Sequence, residues 1–291
     1  MAKISTKDLL QAGVHFGHLK KKWNPKMSEY IFVERKGIHI IDLNKTLKEL
    51  ETTAAAMKQI AYSGKKIMFV ATKKQAKEIV KDAAKSVNMP YITERWYGGM
   101  LTNFSTIRKS IKKMDTYDKM VKDGTINNLN KRERLMMARE NEKLDRTLGG
   151  IAQLNRLPAA VFVVDINKEH IAIAEATKLN VKTFALVDTN CDPTKVDFAV
   201  PGNDDAAKSV QVITDYLVNA IKEGLEERKN DKENEKPVEA PKADATAEAD
   251  AIAEETEAPK AEKKTTKKPA AKKAPAKKAP AKKKAEEKDA E

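Results

Sequence analysis

AAVFVVDINKEHIAIAEATKLNVKTFALVD (159–188) is the stretch that decides the architecture. Its two ends, AAVFVVD (159–165) and VKTFALVD (181–188), are nearly unbroken apolar runs, rich in β-branched residues and each closing on an aspartate. Runs of this kind suit strands buried on both faces, where neither face can be given to polar side chains. Between them Asn167 precedes KEHIAIAEATKL, which has helical spacing. Strand, helix and strand joined by short connections make a parallel crossover unit.

The same alternation continues outward. Upstream lie three more strand-like runs, YIFV (30–33), IHII (38–41) and KIMFVA (66–71). Asp42 or Asn44 can cap a helix through LKELETTAAAMKQIA that stops at Gly64, and Thr72 can cap KKQAKEIVKDAAKSV. Downstream, Asp204 and Asp205 open a last helix, AAKSVQVITDYLVNAIKEG. The pattern predicts an α/β domain over residues 1–228, with a parallel sheet of about five strands and helices on both faces.

One segment breaks the rhythm. From Asn103 to Leu148 there is no strand-like run. Phe104, Ile107, Ile111, Met114, Tyr117 and Val121 recur at spacings of three and four. After the turn DGTINNLN comes a highly charged helix with a sparse apolar set, Leu135, Met136, Leu144 and Leu148. Residues 103–148 therefore read as an inserted antiparallel helical hairpin, its thin apolar stripe suiting a projecting arm. Each helix would be about 25–30 Å long at 1.5 Å per residue.

Composition breaks sharply near Arg228: every Phe, Trp and Tyr lies at or before Tyr216. Residues 229–291 are Lys-, Ala-, Pro- and Glu-rich, with an acidic block followed by a basic one, AAKKAPAKKAPAKKKA, and are expected to be disordered. That tail carries 17 Lys against 15 acids, so the folded part holds most of the formal net charge of +13. A basic globular body suits a polyanionic partner, nucleic acid above all, although a cytosolic protein can also simply be basic. One cysteine, Cys191, excludes an intrachain disulfide, no apolar run approaches the roughly 18 residues that span a membrane, and MAKISTKDLL lacks a secretory apolar region. The expected compartment is the cytoplasm.

Candidate chemistry falls into three groups. AYSGKK (61–66) contains Gly-Lys but lies between a helix and a strand, the reverse of a phosphate loop, so Gly64 reads as a helix terminator. Asp165, Asp188 and Asp192 fall at or just after strand ends. Asp188, Asp192, Asp204 and Asp205 could hold Mg²⁺ through oxygens, with helix capping and turn formation as the plainer account. His15 and His18 are too few for a zinc site and His39 reads as a satisfied structural histidine, so no metal or cofactor is required and no catalytic triad can be assembled. The basic group is richer. HLKKKWNPKMSEY (18–30) interleaves Lys20, Lys21, Lys22 and Lys26 with Trp23, which either stacks on an unpaired base or packs on the body. ERWYGGMLTNF (94–104) sets Arg95 before a Gly-Gly joint, and Arg108, Lys109, Lys112 and Lys113 give the arm a basic face.

Three strings carry a resemblance. LLQAGVHFGHLKKKWNPKMSEYIFVERKGIHIIDLNKT (9–46), ERWYGGMLTNFSTI (94–107) and RLPAAVFVVDINKEHIAIAEATKLNVKTFALVDTNCDPTKVDFAVPGNDDA (156–206) closely resemble, in order, the bacterial ribosomal protein S-two family. Tyr97 and Ala159 depart from it, and the charged tail is outside the shared pattern. The resemblance implies a flavodoxin-like sheet with a coiled-coil arm and a non-enzymatic structural place in the small ribosomal subunit. It also implies contacts with small-subunit rRNA and neighbouring proteins, and a part in assembly and in seating the OB-fold ribosomal protein S-one. A nucleotide-binding enzyme on the same sheet and an extra-ribosomal scaffold are the alternatives; fold alone does not separate them.

Overall fold

The computed structural model describes residues 4–234. In chain order the elements are α1 (Thr6–Gln11), β1 (Phe16–Leu19), β2 (Ile31–Arg35), β3 (Ile38–Ile41), α2 (Leu43–Tyr62), β4 (Ile67–Val70), α3 (Lys77–Ser86), β5 (Tyr91–Ile92), α4 (Phe104–Lys122), α5 (Lys131–Leu148), β6 (Ala160–Val164), α6 (His170–Lys178), β7 (Lys182–Val187), β8 (Phe198–Pro201) and α7 (Ala207–Asn234).

Five strands form an all-parallel sheet in the order β5-β4-β6-β7-β8. Numbering only these strands along the chain gives 2-1-3-4-5, the flavodoxin-like order. The period-2 alternation of the strands sorts the core into two halves. Ile67, Phe69, Phe162, Val164, Phe184 and Leu186 pack with α2, α3 and α7. Met68, Val70, Val161, Val163, Ala185 and Val187 pack with α6 and the root of the arm. Phe69, Phe162 and Phe184 are fully buried, each worth about 1.5–3 kcal/mol.

The membership of the sheet differs from the sequence expectation. YIFV and IHII fall in β2 and β3, which pair antiparallel and join β1 in a separate three-stranded sheet. Only Lys36 and Gly37 separate β2 from β3, room for a hairpin but not for a parallel crossover. Their places in the parallel sheet are taken by β5 and β8, which are short edge strands.

Capping also differs in detail. Asp42 accepts from the Asn44 N–H and caps α2 as expected. Thr72 caps nothing: α3 starts only at Lys77, and the Thr72 N–H instead donates to Glu169. At α7 the cap comes from Asn203, whose Oδ1 accepts from the N–H groups of Asp205 and Ala206. Asp204 and Asp205 are thereby released for other partners. Gly224 does not end α7. A Cβ there would run into the Lys58 backbone carbonyl, so the glycine lets α7 cross α2 closely. Lys58 pairs with Glu223 and Glu227 along that crossing, and the helix runs to Asn234, six residues past the break at Arg228. The remaining residues of the tail expectation, 235–291, lie outside the described residues.

Residues 103–148 form the expected hairpin. α4 and α5 hold 19 and 18 residues and are joined through Gly124 in the left-handed region. Ile111, Met114 and Leu148 are buried, whereas Val121, Leu135 and Met136 are exposed. Phe104, Ile107 and Leu144 pack against the core, so the arm is anchored at its root.

Candidate functional site

A cluster of charged side chains lies at the carboxyl-end edge of the parallel sheet, the edge where open α/β sheets take their ligands. The strand order reverses between β4 and β6. Lys73, three residues after β4, reaches Asp204 Oδ1 at 2.8 Å, Asp205 Oδ1 at 2.5 Å and Asp165 Oδ2 at 3.8 Å. Burial works against the Lys73 ammonium, but the hydrogen bonds to Asp204 and Asp205 outweigh it and hold its pKa above the ordinary value. Beside it, Glu169 is buried and accepts from the Thr72 N–H, and burial raises its carboxyl. The crevice is thus filled by the chain's own ion network.

His18 completes the cluster from β1. Its Nδ1 lies 3.0 Å from Asp188 Oδ2 and its Nε2 lies 3.4 Å from Asp205 Oδ2. The Asp188 carboxylate beside it raises the imidazole pKa. Asp204 is wholly buried; its burial, followed by the charge of Asp188, pushes its carboxyl up to about 7 against the pull of Lys73. Of the four acids named from sequence, Asp188, Asp204 and Asp205 come together. Asp192 does not: it caps a short 3₁₀ turn at Thr194 and pairs with Lys26 at 2.7 Å. Capping and turn formation therefore account for Asp192 but not for Asp204 or Asp205.

The N-terminal lysine segment is fastened to the same edge. The His18 N–H donates to Thr189 Oγ1 and the Asn24 N–H to the Thr189 carbonyl. Gly17 is required there, because a Cβ would press on Thr189 at 2.6 Å. Lys20 pairs with Glu34 at 2.7 Å, and both are largely exposed. Lys26 finds Asp192, 166 residues away in sequence. Lys21 and Lys22 are exposed and, among the described residues, have no carboxylate partner. Trp23 is half-buried, its ring 5.1 Å from that of His39. His39 is buried as expected, but neither ring nitrogen has a hydrogen-bond partner, so it is not the satisfied histidine the sequence suggested.

Arg95 is exposed just past β5, on the same edge. The loop that follows is wrapped around one carboxylate. Glu175 of α6 accepts from Trp96 Nε1 (3.1 Å), the Gly99 N–H (2.7 Å), the Leu101 N–H (2.9 Å) and both the N–H and hydroxyl of Thr102 (each 3.1 Å). On the arm, Arg108 donates to Asn155 and Lys113 pairs with Glu140, leaving Lys109 and Lys112 exposed and unpaired among the described residues. Sequence reasoning missed Lys73, Glu169 and Glu175. Lys73 had a signal, a cation at the end of a buried strand; the two glutamates sit in helical sequence with nothing to mark them.

Comparison with known proteins adds a family. A family model described as Ribosomal protein S2 matches residues 9–224. Among curated relatives, the "Small ribosomal subunit protein uS2" of Cytophaga hutchinsonii is 62% identical over 227 residues, covering 78% of this chain and 89% of its own. The protein of the same name from Bacteroides thetaiotaomicron is 61% identical over 229 residues, 79% of this chain and 82% of its own. That of Parabacteroides distasonis is 56% identical over 264 residues, 91% of this chain and 89% of its own, an alignment long enough to enter the charged tail.

Proposed function

The chain belongs to the ribosomal protein S2 family, whose members are structural ribosomal proteins and not enzymes, and from that premise we propose that it binds small-subunit rRNA through a basic rim on the carboxyl edge of its sheet. The observation that carries this is the exposure of Lys21 and Lys22, without carboxylate partners among the described residues, on a segment pinned to the sheet through Thr189. Arg95 stands three strands away on the same edge, about 14 Å at normal strand spacing. Away from that edge, Arg108, Lys109 and Lys112 on the arm offer further basic groups, while Lys20, Lys26 and Lys113 already share their charge with acids. A phosphate backbone relieves the mutual repulsion of such a rim.

The partners of this reading are rRNA and neighbouring small-subunit proteins, with the chain ribosome-bound in the cytoplasm. Among the described residues no helix is long and apolar enough to cross a membrane. Seating of ribosomal protein S-one is part of the same proposal; its support is the family resemblance, and co-sedimentation of S-one with subunits that contain or lack this chain tests it.

Filter binding of the full chain to small-subunit rRNA across a salt series tests the rim. Each phosphate contact contributes about 0.7–0.9 to the slope of log affinity against log salt. Changing Lys21 and Lys22 together to Gln is expected to flatten that slope by about 1.4–1.8. Adding Lys20→Gln and Lys26→Gln should flatten it by less than the same amount again, because those two ammonium groups are already paired. A double variant with unchanged slope removes this segment from the interface.

A further inference from the structure

We propose that a cavity at the root of the arm binds a single nucleotide unit, base and phosphate together. The cavity lies at the amino-end edge of the parallel sheet, opposite the charged cluster, and its volume is about 300 Å³. That is the small end of the range for ligand pockets, which suits one nucleotide rather than a longer strand. The body supplies one wall: Lys66 just before β4, Lys85 of α3, and Asn88–Tyr91 leading into β5. The arm root supplies the other, through the glycines of the 3₁₀ turn after α5 (Gly149–Ile151) and through Gln153 and Leu154. Gly150 lets the two walls meet, because a Cβ there would stand 2.2 Å from the Tyr91 carbonyl oxygen and 2.8 Å from its ring.

The lining divides by chemistry. Met89, Pro90 and Leu154 are buried and present apolar surface, with the half-buried Tyr91 ring beside them. A base needs such a surface, and every base has a face that can stack on an aromatic ring. Asn88 and Gln153 are exposed amides, each joining a donor to an acceptor, the pairing that a base edge presents. Lys66 and Lys85 are exposed cations, and no carboxylate lines the cavity. Asp145, which packs at Gly149, is outside the lining. Lys66 spends one of its donors on the Asn88 carbonyl at 2.6 Å. The Lys85 ammonium, the Tyr91 hydroxyl and both amides make no hydrogen bond among the described residues. A bare phosphate would leave the apolar surface unused, and an apolar ligand would leave the two cations without a counter-charge. A nucleotide meets both demands, and because it would touch both walls it would fix the arm root against the body. The nucleotide is either free or an unpaired residue of RNA, and only the second source rests on the rRNA-binding reading.

Calorimetric titration of the full chain with each ribonucleoside monophosphate, with adenosine and with inorganic phosphate tests the pocket. One monophosphate per chain is expected, with adenosine and phosphate each bound at least about tenfold more weakly. Lys85→Gln should weaken the monophosphate by about tenfold and Gln153→Ala by at least about threefold, whereas Lys222→Gln on α7 should change nothing. A short single-stranded RNA separates the sources: displacement of the monophosphate at a lower concentration than the monophosphate itself needs assigns an RNA-borne nucleotide, and weaker displacement assigns a free one. Absence of saturable binding by both the monophosphates and the RNA overturns the proposal, as does equal affinity for inorganic phosphate or unchanged binding in both pocket variants. If a variant does not fold, the wild type decides: saturating monophosphate should slow acetylation of Lys85 by at least about fivefold and leave Lys222 unaffected, and an unslowed Lys85 overturns the proposal. The titration reads mononucleotide affinity and not the salt slope of rRNA binding, so the pocket and the lysine rim can fail separately.

Discussion

Glu175→Gln isolates the carboxylate around which residues 96–102 are wrapped. The substitution keeps size and shape but turns one acceptor oxygen into a donor. If the Oε1 side is lost, the Trp96 indole and the Gly99 N–H face an N–H₂ group; if Oε2 is lost, the Leu101 and Thr102 N–H groups do. Either way two backbone or ring donors are orphaned, and Trp96 and Leu101 are buried. At about 1–3 kcal/mol per unsatisfied donor the loss is about 2–6 kcal/mol. With a urea m-value of about 3 kcal/mol/M, the midpoint should fall by about 0.7–2 M. Burial works to raise the Glu175 pKa, but the N–H donors of Thr102 and Leu101 outweigh it, so the folded-state value lies below the ordinary 4.5. A depressed carboxyl pKa contributes stability that is present above the unfolded value and lost as pH falls through the folded one. The gap between wild type and variant should therefore be full at pH 7 and close in acid. A midpoint shift under about 0.3 M at pH 7 would refute the argument, since about 1 kcal/mol is too little for two orphaned donors.

Other outcomes follow from the same geometry. Trp23→Ala should lower stability by about 2 kcal/mol in urea titration, because the ring is half-buried against His39; unchanged stability with weakened rRNA binding would assign the ring to base stacking instead. The bonds from Lys26 and Thr194 hold the Asp192 carboxyl at about 2. Lys26→Gln should therefore destabilise at neutral pH, with the difference from wild type fading as pH falls from about 3.8 to 2; a difference that persists at pH 2 would contradict this. Cys191 is fully buried and its thiol is pushed up to about 12, by burial above all, so it should not react with a disulfide reagent at pH 8 until the chain unfolds.

How far the sequence spoke depended on how local each signal is. β4, β6 and β7 are legible because burial on both faces forces continuous apolar runs. β5 has two residues and β8 ends on a proline, and neither leaves a periodic trace. The arm was readable from its thinning stripe. The ion cluster was not, because its members come from positions 18, 73, 165, 188, 204 and 205 and no spacing rule links them. Asp204 and Asp205 were also masked by Asn203, since any of three adjacent residues had the chemistry to cap α7.

The anchoring of the N-terminal segment through Thr189 has a consequence for the order of events during synthesis. His18 meets Thr189 across 171 positions, so the segment cannot dock until those later residues have been made and released. At about 5–20 residues per second, that interval is roughly 9–34 s. Contacts of such long range also slow folding, since the loop must close before the contact returns anything. Lys20, Lys21 and Lys22 therefore emerge first and acquire their final arrangement among the last, so the lysine segment becomes a shaped surface only when the domain is nearly complete.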